Sequence, residues 1–309
     1  MGNGAWSTDV YSTRAHMKRK SGQSIFSYND DVLARQSYQE RNIHARLQPN
    51  GVKWRESRDS DEHPESNAIV VAFDVTGSMG RIPRVLQTKL PKLHGLLQRK
   101  GYINHPQLLF ADIGDSYTDR APLQVGQFES DNRMDEDLEH IWLEGAGGGQ
   151  MHEGYEMFLY FLARKTAIDC QEKRGKKGYA FIVGDEMSYT AATRRHVKDI
   201  LGDTIEADVP LKQLVEEAQK HYNIFFLMPK TASYFDSNPE IFDFWRDLLG
   251  ERAVALDDEA AVCETIALAI GLNEGTVDLA RGLADLEEVA NSKTAIAVQA
   301  SVAPSVMSA

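Results

Sequence analysis

Cysteine is scarce in this 309-residue sequence: only Cys170 and Cys263, without the paired spacing of a zinc site. That excludes a disulfide framework and favours a reducing compartment. Long apolar runs are missing as well, and none approaches the roughly 18 residues a membrane-spanning helix needs. The start, Met1-Gly-Asn-Gly-Ala-Trp6, has no apolar signal core, and Trp6 stands where a myristoylation signal requires Ser or Thr. Basic charge is short: 34 Lys and Arg face 46 Asp and Glu, a formal net charge of -12. A surface of that sign repels a phosphate backbone, which excludes broad nucleic-acid binding. We therefore expect a cytoplasmic protein with neither membrane nor nucleic acid as partner.

What is present is an ordinary globular composition, 42% hydrophobic and 26% charged, enough for a substantial core. The charge is uneven. Residues 1–66 hold ten Lys and Arg against nine Asp and Glu, whereas residues 251–309 hold three against ten. The first 66 residues carry isolated apolar anchors (Trp6, Ile25, Phe26, Tyr28, Leu33, Trp54) and no sustained period, which predicts a partly packed N-terminal arm. Residues 67–272 are expected to form one α/β domain. Residues 273–309, ending in an Ala/Ser/Val-rich stretch, are expected to be a mostly disordered tail.

Within 67–272 the texture alternates. Ala68–Phe73 is a short β-branched apolar run, the pattern of a strand buried on both faces of a parallel sheet. Leu86, Leu90, Leu93 and Leu97 follow at helical spacing. Further strands are predicted at 107–111, 123–128, 179–183, 224–228 and 252–256. Helices are predicted at 135–143, from His152 to about Thr166, and at 211–221, 241–249 and 260–270. Alternating strands and helices predict a doubly wound, mostly parallel, Rossmann-like α/β sheet with an N-terminal extension.

In such a sheet ligands sit at the carboxyl ends of the strands. Three polar segments fall there: Asp74-Val-Thr-Gly-Ser78, Gly145-Ala-Gly-Gly-Gly-Gln150 and Gly184-Asp-Glu186. Asp74, Thr76 and Ser78 alternate across one turn, and their carboxylate and hydroxyl oxygens make a hard-ligand set suited to Mg²⁺ or Mn²⁺. Asp185 is placed to add a second negative charge. The same Asp74 and Ser78 also suit helix capping. His152-Glu-Gly-Tyr-Glu156 lacks the second histidine of a zincin, leaving Glu153 as a solvated first-turn residue. Asp112, Asp115 and Asp119 read as an exposed acidic loop, and Tyr155, Phe158, Leu159 and Leu162 as a core stripe.

Phe73-Asp-Val-Thr-Gly-Ser-Met-Gly80 resembles the first motif, D-x-[ST]-x-S, of von Willebrand factor A (vWA) domains. Gly147-Gly-Gly149 and Ile182-Val-Gly-Asp185 fall where that family places its second and third motifs. The chain as a whole, including Arg58-Asp-Ser-Asp-Glu-His-Pro64 and Arg174-Gly-Lys-Lys-Gly-Tyr179, resembles an intracellular bacterial group of vWA proteins. The resemblance implies a metal-ion-dependent adhesion site (MIDAS) with Asp74, Thr76 and Ser78 as ligands, and Asp185 acting directly or through water. Where the family's second motif carries Thr or an acid, this chain has Gln150, a neutral and weaker ligand that His152 or Glu153 would have to support. It further implies a non-enzymatic adaptor or assembly factor that docks a partner's Asp or Glu on the metal, with an AAA+ ATPase as a candidate partner. One alternative belongs to another class. Asp74-Val-Thr-Gly-Ser78 also resembles the nucleophilic turn of haloacid-dehalogenase-type phosphotransferases, in which Asp74 would attack phosphorus and Asp185 hold Mg²⁺.

Overall fold

A computed structural model of the protein describes residues 4–24, 26–147, 149, 151–289 and 294–299. The apolar run forms strand β1 (Asn67–Asp74), buried along its whole length. Its side chains alternate: Ile69, Val71 and Phe73 enter one core cluster, Ala68, Val70 and Ala72 the other. Both faces of the strand are therefore dry, which is why the sequence shows a continuous apolar run instead of period two. β2 (Pro106–Ile113) and β4 (Gly178–Val183) flank β1 in parallel, while β3 (Leu123–Val125) closes one edge antiparallel to β2. β5 (Tyr222–Pro229) and β6 (Ala253–Leu256) continue the parallel pairing beyond β4. The order is β6-β5-β4-β1-β2-β3, so the chain leaves β1 toward one edge and returns to build the other.

Helices cover both faces. α2 (Ile82–Lys89), α3 (Leu93–Lys100) and α8 (Val262–Glu274) bring Leu86, Leu93, Leu97, Ile266 and Ile270 onto one side. α5 (Tyr155–Arg164), α6 (Leu211–Ala218) and α7 (Pro239–Leu249) bring Phe158, Leu162, Leu214 and Trp245 onto the other. Each fully buried side chain of this kind contributes about 1.5–3 kcal/mol of transfer free energy. The expected α/β fold with a mostly parallel central sheet is what the chain forms. Among the described residues no helix is long and apolar enough to cross a membrane.

Three details differ from the sequence expectations. The helix predicted from His152 begins at Tyr155; His152–Glu153 instead pair in parallel with Met187–Ser188. Asp112 is not in an acidic loop but inside β2, wholly buried, and Asp115 is buried too. The stretch from residue 273, expected to be disordered, is helical over α9 (Leu279–Val289), where Leu279, Leu283 and Leu286 pack against the core. Of that tail, residues 290–293 and 300–309 lie outside the described set.

The N-terminal arm lies across the domain. Its helix α1 (Thr8–Lys20) places Arg14 and Lys18 on Glu139 of α4 (Arg133–Glu139). Trp6 is buried and donates its indole N–H to Asp135 at 3.1 Å. Further along, Leu47 O accepts from Val125 N, and the Arg55 guanidinium donates to Val125 O. The arm thus satisfies polar backbone groups of β3 that the sheet edge would otherwise leave open.

Candidate functional site

β1 ends in Asp74, and β4, its neighbour, ends two residues before Asp185. Phe73 stands opposite Val183 in the register. The two acids therefore emerge side by side at the carboxyl edge, where the strand order reverses direction. Both are fully buried, 0% exposed.

A chain of oxygens joins them. Asp74 Oδ1 accepts from Thr76 N at 2.8 Å and from Thr76 Oγ1 at 2.5 Å, an Asx-type turn that fixes the carboxylate. Thr76 Oγ1 lies 3.3 Å from Ser78 Oγ, which donates to Asp185 Oδ1 at 2.8 Å. Asp74, Thr76, Ser78 and Asp185 are thus brought together, as the spacing predicted. Neither Asp74 nor Ser78 serves as a helix cap: α2 begins at Ile82 without a side-chain cap. Asp185 Oδ2 is buried and has no hydrogen-bond partner. An orphaned buried oxygen costs about 1–3 kcal/mol unless something outside the chain satisfies it.

The remaining oxygen of Asp74, Oδ2, accepts from the Tyr155 hydroxyl at 2.6 Å. Tyr155 stands in the apolar stripe of α5 and was expected to be plain core. The helical stripe does place it in the core, against Phe226 and Trp245, but its hydroxyl reaches the site. Gly184 makes this possible. A Cβ there would lie 2.0 Å from the tyrosine oxygen.

The glycine segment folds back over the motif turn. Gly145 N donates to Val75 O and Gly77 N donates to Ala146 O. Gly147, at φ +121°, approaches so closely that a Cβ would meet Thr76 at 3.3 Å and Glu153 Oε1 at 3.0 Å. Gln150, the expected second-motif ligand, lies outside the described residues, as does Gly148. The loop after β5 covers the opposite side, where Ser233 Oγ donates to Ser78 O at 2.6 Å.

Two further acids join this edge. Glu153, expected to be solvated, is buried, because the short ladder to Met187–Ser188 turns it inward. It faces Glu186 within hydrogen-bond reach, while the Glu186 carbonyl is fixed by the Trp245 indole N–H at 2.9 Å. Burial, then the charges of Asp185 and Glu186, push Asp74 up to about 8; hydrogen bonds from Thr76 and Tyr155 oppose this. Burial also raises Asp185, Glu186 and, well above the usual carboxylate range, Glu153. The signal missing from the sequence was contact between acids 33 positions apart. Among the described residues, no three His, Cys, Asp or Glu side chains form a group able to hold a metal ion. Any cation at Asp74 and Asp185 would therefore depend on the two hydroxyls as well.

Fold and site together define a mixed α/β protein with carboxylates and hydroxyls gathered at the carboxyl edge of its sheet. No family model matches the chain, and no curated protein matches it. Among solved structures it is similar to the pilus adhesin SpaC from Lactobacillus rhamnosus GG in its open conformation. That likeness has a TM-score of 0.47 at 13% identity, over 70% of this chain and 31% of the adhesin. It is also similar to proximal thread matrix protein 1 of the mussel byssus, with a TM-score of 0.42 at 7% identity, over 67% of this chain and 46% of that one. The chain spans less than half the length of either.

Proposed function

We propose that this chain is a doubly wound α/β module of the vWA type, which binds a protein partner through a divalent cation at Asp74, Thr76, Ser78 and Asp185. The observation that carries the proposal is the linked run of oxygens from Asp74 to Asp185, ending in the orphaned Asp185 Oδ2. The donors are two carboxylates and two hydroxyls, all hard, which fits Mg²⁺ or Mn²⁺ and not zinc. When bound, such an ion supplies positive charge and an open coordination position at this edge. Thr76 and Tyr155 hold the Asp74 carboxylate in a fixed orientation. Ser78 is the one partly exposed member of the set and marks the side from which a ligand enters.

A partner's Asp or Glu side chain suits that open position, since the cation offsets the repulsion that the acids of this edge would otherwise exert on a carboxylate. By resemblance, the partner is expected to be an intracellular assembly such as an AAA+ ATPase, with this chain as adaptor or assembly factor. The phosphotransferase alternative asks Asp74 to attack with a free, ionised oxygen. Both its oxygens accept hydrogen bonds, from Thr76 and Tyr155, which hold the carboxylate in place and leave neither oxygen free for attack.

Titration calorimetry with Mg²⁺ and Mn²⁺ tests the site. Less heat of binding is expected from Asp74→Ala than from the wild type; equal heats from both would sink the metal reading. A pull-down with and without EDTA tests the partner. At least one co-purifying protein should be lost with chelator and retained on Mg²⁺ add-back, whereas captures indifferent to EDTA would overturn metal-bridged recognition.

A further inference from the structure

Glu153 and Glu186 stand apart from the oxygens assigned above. They are 1% and 2% exposed, come from two short segments held in register by the His152–Glu153 and Met187–Ser188 ladder, and face each other carboxyl to carboxyl. Each has one buried oxygen, Oε2, with no hydrogen-bond partner. Two carboxyls in contact cannot both be ionised in a dry site unless positive charge lies between them. The charges acting most strongly on the pair are those of Asp74, Asp185 and Asp115, all negative; His152 gives Glu186 a small opposing effect. Neither carboxyl forms an ion pair with Lys or Arg among the described residues.

The backbone is built to keep the pair where it is. Trp245 pins the Glu186 carbonyl, and Gly147 lets the glycine loop approach Glu153 Oε1 so closely that a Cβ would lie 3.0 Å from it, a tight contact. Burying two carboxyls without a counter-charge is costly, and apolar residues would fill the same space more cheaply. The chain nevertheless supplies oxygens and leaves two of them unused.

We propose that the Glu153–Glu186 carboxyl pair is a second hard-cation site, distinct from the Asp74 centre, that binds a divalent ion through its two unpartnered Oε2 atoms. Any proton the pair holds leaves to water when the ion binds. Carboxylate oxygens alone select Mg²⁺, Mn²⁺ or Ca²⁺ over softer metals. Two ions at one sheet edge would hold the glycine loop against the motif turn, since Glu153 follows the loop and Thr76 lies under it.

Counting Mn²⁺ by electron paramagnetic resonance on the full chain tests this separately from the Asp74 site. Wild type should bind two ions per chain, the Glu153→Gln/Glu186→Gln double variant one, and Asp74→Asn one. A double variant that keeps the wild-type count overturns the second site. An Asp74→Asn variant that still binds two ions, beside a double variant that binds one, overturns the Asp74 reading and leaves this one standing. Should the double variant fail to fold, Glu153→Gln alone keeps the question open to measurement. It should weaken one class of Mn²⁺ sites at least tenfold, and unchanged affinities refute the proposal. Terbium emission excited through Trp245 gives a second readout: it should fall by half or more in Glu186→Gln, and unchanged emission counts against the pair.

Discussion

Asp137, Asp169 and Glu139 are buried where the N-terminal arm meets the domain, and each has a cation in contact: Arg46 at 3.0 Å, Arg58 at 2.8 Å and Lys18 at 2.6 Å. Asp74, Asp185, Glu153 and Glu156 are buried as deeply at the carboxyl edge of the sheet and have only hydroxyls, amides and one another. The comparison explains the uneven charge of the sequence. Arg and Lys residues of the nearly neutral arm neutralise these acids that the domain presents to it. At the carboxyl edge no such partner stands among the described residues. Acids there are stable only when protonated or when a cation arrives from solution.

The largest expected effect comes from making a paired acid resemble an unpaired one. Arg46→Ala removes the guanidinium from Asp137, which keeps Gln127 N as a donor at 3.1 Å and has Arg55 nearby. Breaking a buried pair costs roughly 3–5 kcal/mol, but the Arg46 side chain is 38% exposed, which reduces the expected loss to about 2 kcal/mol. Urea unfolding near neutral pH measures it. A loss below about 0.5 kcal/mol would mean that the arm's charges are decoration and that the two groups of acids do not differ.

The opposite change converts an unpaired acid into a neutral group. Glu156 lies outside the proposed ligand sets, with Ser116 Oγ donating to it at 3.0 Å, and burial raises it from 4.5 to about 8. Between those values the folded protein holds a proton that the unfolded chain has released. Stability from this group is therefore full below about pH 4.5 and is lost as pH rises toward 8. Glu156→Gln keeps the shape and removes the titration. Metal-free wild type should lose stability steadily from pH 5 to 9, and the variant should lose less, ending about 1–2 kcal/mol more stable at pH 9. Asp74 titrates over the same window, so the slope is reduced and not abolished. Parallel pH profiles would show that Glu156 ionises without penalty.

The two regions were unequally visible in the sequence. β1 and β4 announce themselves because strands buried on both faces have no reason to alternate, and Asp74, Thr76, Ser78 and Asp185 lie within a few residues of those strand ends. Gln107, Gln124 and Asp112 were harder, being polar residues inside strands. Gln124 exchanges hydrogen bonds with the Trp142 backbone, whereas Asp112 keeps both oxygens unpartnered. The core position of Tyr155 was legible but the reach of its hydroxyl was not, because helical periodicity reports which face is buried, not which buried side chain carries a hydroxyl to a neighbouring strand. The Glu153–Glu186 contact depends on a two-residue ladder too short to leave a propensity signal. The helix α9 did leave one, in Leu279, Leu283 and Leu286 at spacings of four and three.

The smallest effect is expected where a paired acid has a cation to spare. Asp59 accepts from Arg174 at 2.8 and 3.1 Å and from Lys173 at 3.2 Å, and Asp169 pairs with both Lys173 and Arg58. Lys173 is the exposed member, 55% accessible, and both carboxylates stay paired without it. Its contribution is thus a screened surface interaction, and Lys173→Ala should barely shift the unfolding midpoint, and less still at high salt. Unfolding measured at low and at high ionic strength checks this. A clear loss of stability that salt does not reduce would mean that the cations at this seam are not redundant. The arm would then be held by individual buried pairs, each dependent on its own charge.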